Sequence, residues 1–503
     1  MRSFTLVVLI SFAGMGITEA QIDWPSFGGD SQRTGWERSD TRITRENVKD
    51  FELVLKRKFP DPHAGPRFLT PPVIVGLLIS YRGFKELAFA ADGSDTIWSV
   101  DADLNRVFWK RRFEPEKTKP GASTCAQTVA TMPALVPPVV FGKRAAGAHR
   151  RPALPGNEFG EVRPVFAVSN DGKLHKLNTS DGSDLSAPLD FLPANVKASP
   201  LTIHDGTIYA SSASGCGGAE RGIWAIDLTV PDPKAVSFTW QGTSAHGLGG
   251  PAFGNDGTVY LQTGLNTIQS FTPNDLKPKE RLTLSENPLG KSAAGHNAPT
   301  PVVLDSHGRD LIVSSTSDGR LFIVDDKSFG GDNHKTPPSQ TAPLAASGGG
   351  IWGGLAGWKD PDGKLWVFAP VWGKLNPDLK PTRTNGPVTS GAIVAFKVEE
   401  QDGKPVLTPA WVSSDMRSPV PPVTTSGAVF ALSAGAYTSD GRPQGRSHAT
   451  LCGLDAQTGE EIYSSGNQVT APGALTGLTV SNGRVYFATA DGTLYAFGIR
   501  LEI

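Results

Sequence analysis

Along most of the chain, short runs of β-branched and aromatic residues alternate with polar ones and stop at glycine-bearing turns. A two-residue alternation predicts half-buried strands, because successive side chains of a strand point to opposite faces. One turn-plus-strand unit recurs. It reads DGTIY from Asp205, DGTVY from Asp256, HGRDLIV from His307, DGKLWVF from Asp362, SGAVF from Ser426 and NGRVYF from Asn482. Asp-Gly and Asn-Gly pairs supply the positive φ of a tight hairpin, and the residues after each pair are strand formers. The turn glycines, Gly206 to Gly483, recur at intervals of roughly 50–65 residues, and such self-similarity marks a repeat architecture.

A second turn follows the first within each unit: DGKLHKL from Asp171, DGRLFIV from Asp318 and DGTLYAF from Asp491, with looser copies at Ile97, Ile223, Ala392 and Leu451. An acidic corner and a last strand then close the unit. LDAQTGEEIY from Leu454 is the fullest copy, and Trp109, Trp240 and Trp411 mark other last strands. Strand, turn, strand, turn, strand, corner, strand is one propeller blade. Units begin near Thr70, Thr131, Lys197, His246, Asn297, Gly350, Ser418 and Gly473. The expected fold is therefore all-β: an eight-bladed β-propeller of four-stranded antiparallel blades. Its blades, at about 60 residues, exceed the roughly 40–45 of a WD40 blade. The excess is expected in the Gly-, Pro- and polar-rich stretches 144–163, 330–347, 374–388 and 436–447. The last unit stops near Phe497 without an outer strand, while the strand-like FELVLKRKF at 51–59 precedes the first unit. That N-terminal strand is expected to complete the last blade and close the ring, which removes an exposed sheet edge.

The ends and the charge narrow the setting. Arg2, the apolar run 4–17 and the small-residue stop at Ala20 form a signal peptide over residues 1–20. Residues 21–503 are then a single domain, periplasmic or secreted, and no other stretch is apolar for the length of a membrane span. The 48 basic and 49 acidic residues leave a net charge of -1, which offers no field to draw nucleic acid. Cys125, Cys216 and Cys452 are odd in number, so at least one is unpaired within the chain, and the sequence does not say which two, if any, form a disulfide. No CxxCH occurs, so covalent haem is not expected.

The LDAQTG corner, with Asp455, Ala456, Thr458 and Gly459, resembles the tryptophan-docking PQQ repeat of the quinoprotein alcohol dehydrogenases. Asp101, Ala102 and Trp109 match it in part, with Leu104 and Asn105 at the Thr-Gly positions. WPSFGGDSQRTGW at 24–36 and ITRENVKDFEL at 43–53 are similar to the N-terminal segment of the same family. The resemblance implies a PQQ- and calcium-dependent oxidoreductase acting on an alcohol or sugar-like substrate, with a separate electron acceptor. It implies PQQ, a planar tricarboxylate, in the axial funnel on a tryptophan. The family's adjacent cysteine pair is missing here.

Loops leading into the innermost strands supply the candidate cofactor-binding residues: Lys197 beside Ser199, His246, His296, Asn297, Trp352 and Arg417. A lysine or arginine can hold a carboxylate, a histidine can act as base or metal ligand, and Trp352 in GGGIWGGLAGW can stack on a planar ring. Two other readings use the same fold: a cofactor-free scaffold for protein partners, like BamB, and a module binding carbohydrate or another small ligand. No GxSxG, HExxH or EF-hand loop is present.

Overall fold

A computed structural model of the chain describes residues 22–59, 69–80, 83–113, 131–136, 163–215, 220–240, 250–264, 266–284, 300–316, 318–329, 331, 333–346, 349–438 and 441–500. The strands form eight sheets, each essentially four-stranded and antiparallel, with strands paired in sequence order. Blade one runs from Val73–Ser80 to Arg106–Arg112 and blade two from Ala134–Leu135 to Leu189–Asp190. Blades three to six begin at Val196–Ala198 with Thr202–His204, at Ala252–Phe253, at Val302–Ser306 and at Gly350–Ile351 with Ala356–Lys359. Blades seven and eight begin at Val423–Thr425 and Thr479–Ser481. Innermost strands touch from blade four through blade eight, and from blade eight through blade one to blade three, so the chain's two ends meet in the ring.

The turn chemistry accounts for the hairpins. Asp205–Gly206, His307–Gly308, Ser426–Gly427 and Asn482–Gly483 each hold two consecutive positive φ values, the geometry of the tight turn whose twist matches antiparallel strands. Blade eight takes its outer strand from the other end of the chain: Glu52–Lys58 pairs antiparallel with Thr493–Gly498, as the strand-like N-terminal run implied.

Two of the presumed loops carry strands. Ser339–Gln340 is the outer strand of blade five, and Arg383–Thr384 adds parallel to Lys404–Val412 of blade six. Both are two residues long, too short for a period-two pattern to register.

Corners lock one blade to the next. Trp411 Nε1 on blade six donates to Ala456 O in the blade-seven corner at 3.0 Å, and Trp109 Nε1 on blade one donates to Thr179 O of blade two at 2.8 Å. Asp455 organises its corner by accepting from the Gln457 and Thr458 amides and the Thr458 hydroxyl. Asn105, standing where the repeat has glycine, has φ 47°. Trp240 differs: its buried Nε1 has no acceptor. Cys452 is a buried free thiol, whereas Cys125 and Cys216 lie outside the described residues.

Candidate functional site at the propeller axis

Every innermost strand of a propeller has one edge facing the axis, where backbone donors and acceptors lack a partner strand. Here residues 22–37 bond to all eight blades, and in six of them the bond goes to the backbone of the innermost strand. Ile22 N–H donates to Asn482 Oδ1 at 2.8 Å and its carbonyl accepts from Ser481 Oγ, both on blade eight. Trp24 exchanges two 3.0 Å bonds with Ile74 of blade one, and Pro25 O accepts from Leu135 N of blade two at 2.8 Å. Ser31 O accepts from Phe253 N of blade four and Gln32 O from Val303 N of blade five, both at 3.0 Å. Thr34 O accepts from Gly357 N of blade six, and Gly35 O from Thr424 N of blade seven, both at 2.7 Å. Arg33 reaches the remaining blade by donating from Nη2 to Thr202 Oγ1.

The segment is thus an axial plug. Its two ends lie at the turns that follow the innermost strands: Ile22 at Asn482, and Asp40 at Ser426 and Gly483. Its middle reaches toward the opposite face, where the loops lead into the innermost strands; the Phe27 ring lies beside Gly354 and Gly477 there. We call that face the mouth.

Arg33 is the chemically distinctive member. It is 1% exposed, donates Nε to Pro251 O at 3.0 Å and Nη1 to Phe27 O at 2.5 Å, and forms no ion pair among the described residues. Its guanidinium is 5.7 Å from the Phe27 ring centre. Burial pulls its pKa down to about 9, against the pull of nearby Asp30, so the group stays cationic at neutral pH. Gly250 admits it: a Cβ there would sit 2.5 Å from Nη2 and 3.2 Å from Ser199 Oγ, so glycine is required by close approach.

Lys197 lies two residues before Ser199, on Val196–Ala198 of blade three. Lys197 is half-buried, has no hydrogen-bond or ion-pair partner among the described residues, and is lowered in pKa by burial. Ser199 Oγ fixes the adjacent backbone by accepting from Ser211 N–H at 3.0 Å. Arg417 stands exposed at the mouth of blade seven, four blades away and so on the opposite side of the ring. Its amide donates to Ser433 Oγ at 3.0 Å.

Trp352 is 5% exposed and stacked on Trp372, with ring centres 4.3 Å apart and planes 7° apart. Its Nε1 has no acceptor. His246, His296 and Asn297 lie outside the described residues.

The structure puts Lys197 on blade three, the blade that Arg33 reaches through Thr202, and puts Trp352 and Arg417 on blades six and seven. Sequence reasoning missed Arg33, Trp372 and the path of the plug; the glycines flanking Arg33 (Gly28, Gly29 and Gly35, all at positive φ) were the available signal of a chain turning tightly in a confined space.

The described residues suit a planar polycarboxylate through Arg33 and Lys197. Among the described residues, no three His, Cys, Asp or Glu side chains cluster. Among the described residues, no helix is long and apolar enough to cross a membrane.

No protein-family model matches this chain, and no curated protein matches it. Solved structures do. The quinohemoprotein alcohol dehydrogenase of Comamonas testosteroni superposes with a TM-score of 0.58 at 14% identity, over 97% of this chain and 82% of that one. A europium-containing methanol dehydrogenase gives 0.55 at 11% identity, over 95% and 98%. The quinohemoprotein alcohol dehydrogenase ADHIIG of Pseudomonas putida HK5 gives 0.54 at 11% identity, over 95% and 81%. At these identities the likeness is one of fold: the chain is an eight-bladed propeller of the architecture that quinoprotein dehydrogenases use.

Proposed function

We propose that this protein is an exported propeller, periplasmic or secreted, that holds a planar carboxylate-bearing quinone of the PQQ class at its plugged axis. The observation that carries the reading is that Arg33 on the plug and Lys197 on blade three form no ion pair among the described residues. A buried charge is costly unless it is compensated. Arg33 spends its donors on carbonyls and a hydroxyl, which satisfies its hydrogen bonds, and Asp30 acts on its charge only from a distance. A ligand carboxylate above it would gain from that charge through low-dielectric protein. The Lys197 amine, on blade three, is a second cation that could pair with a ligand carboxylate. The plug fills the axis behind, so a ligand arrives and leaves by the mouth.

When bound, a quinone of this class supplies the capacity to accept two electrons from an alcohol or a sugar-like substrate. The chain's own residues bind and orient it, and electrons leave to a separate acceptor.

The test uses the purified mature chain incubated with PQQ, with and without calcium, then assayed for alcohol- and sugar-dependent dye reduction. Dye reduction that requires added PQQ supports the dehydrogenase reading. No turnover together with no bound quinone returns the fold to a scaffold that binds protein partners.

A further inference from the structure

A second feature of the mouth lies across the ring from Lys197 and does not involve the plug cations. Trp372, at the end of Leu365–Trp372 in blade six, is half-exposed. One of its faces is backed by Trp352 at 4.3 Å, and its Nε1 donates to Pro419 O at 2.8 Å, so the ring cannot swing. Tyr437, also half-exposed, stands 6.4 Å away with its plane tilted by 45°. Its hydroxyl is tied to Gly473 O, so this ring too is fixed. Arg417 belongs to the same patch: its carbonyl accepts from Gly435 N, two residues before Tyr437, and it lies two residues before Pro419, to which Trp372 is bound. Among the described residues its exposed guanidinium makes no ion pair.

Fixed aromatic faces beside a free fork of donors are the complement of a ring with one apolar face and a rim of oxygens. A pyranose has that shape: its C–H groups pack on an indole, and its hydroxyls accept from guanidinium. A flat aromatic acid would use the arginine but has no use for a tilted second ring.

We infer that the mouth of blades six and seven carries a sugar-binding subsite, with Trp372 and Tyr437 as its platform and Arg417 as its donor to ring hydroxyls. The subsite is independent of any quinone, and neutral pyranosides are its ligand class.

The experiment is a titration of the quinone-free mature protein with methyl glucopyranosides, maltotriose and cellotriose, followed by tryptophan fluorescence. The expected result is a saturable change with at least one of them. Trp372→Ala should abolish it, and Arg417→Gln, an exposed change that leaves the blade intact, should weaken binding by about tenfold, one charge-assisted hydrogen bond. A flat titration with every sugar overturns the inference, as does an unchanged affinity in Arg417→Gln. Because no quinone is present, either failure leaves the reading of Arg33 and Lys197 untouched.

Discussion

Gly459 shows how single residues hold this ring. It lies at φ 71° in the corner that receives Trp411, and a Cβ there would overlap the indole. Gly459→Ala should therefore cost about 1–2 kcal/mol for the left-handed conformation and about 1–3 more for the overlap, seen as a lowered denaturation midpoint. Trp411→Phe keeps most of the packing but removes the donor to Ala456 O, and should cost about 1 kcal/mol. These positions were legible in the sequence because a tight corner is a local event: LDAQTG encodes its own φ values and side-chain caps. Arg33 was not legible. Its role depends on Pro251 and Thr202, more than 150 residues away, and no local pattern announces partners at that distance.

At the scale of elements, two N-terminal pieces do different work. Glu52–Lys58 supplies a blade strand, and its alternation made it readable before the structure. Residues 22–37 bond to all eight blades but mostly form no strand; only Trp36–Glu37 pairs as one, parallel to Val423–Thr425. A segment whose partners are eight different blades has no periodicity to read, so its place was invisible although its likeness to the family's N-terminal segment was not. A chain beginning at residue 38 keeps the closing strand and loses the plug. It should retain a β-type circular dichroism spectrum but melt about 10 °C or more lower, since several backbone hydrogen bonds and the buried Trp24, Phe27 and Arg33 go together. An unchanged melting temperature would refute the plug.

The whole molecule has a pH signature. Burial pushes Glu37 on the plug up to about 7, and Asp95, which accepts from Asn170 N–H across blades one and two, up to about 7 as well. Both values lie above those of an unfolded chain, so the folded state binds more protons between about pH 4.5 and 7. Stability from these groups is present at low pH and is lost as pH rises through 7. The melting temperature should be higher at pH 6 than at pH 8, and Glu37→Gln should flatten that slope.

The axial reading meets its most direct test in a gel-filtration experiment. Wild type and Lys197→Met are each incubated with excess PQQ, separated from free quinone, and compared by absorbance in the protein peak. The account predicts about one quinone per wild-type chain and little or none in Lys197→Met, with both proteins melting alike. A wild-type peak free of quinone, or equal retention by the two proteins, would contradict it.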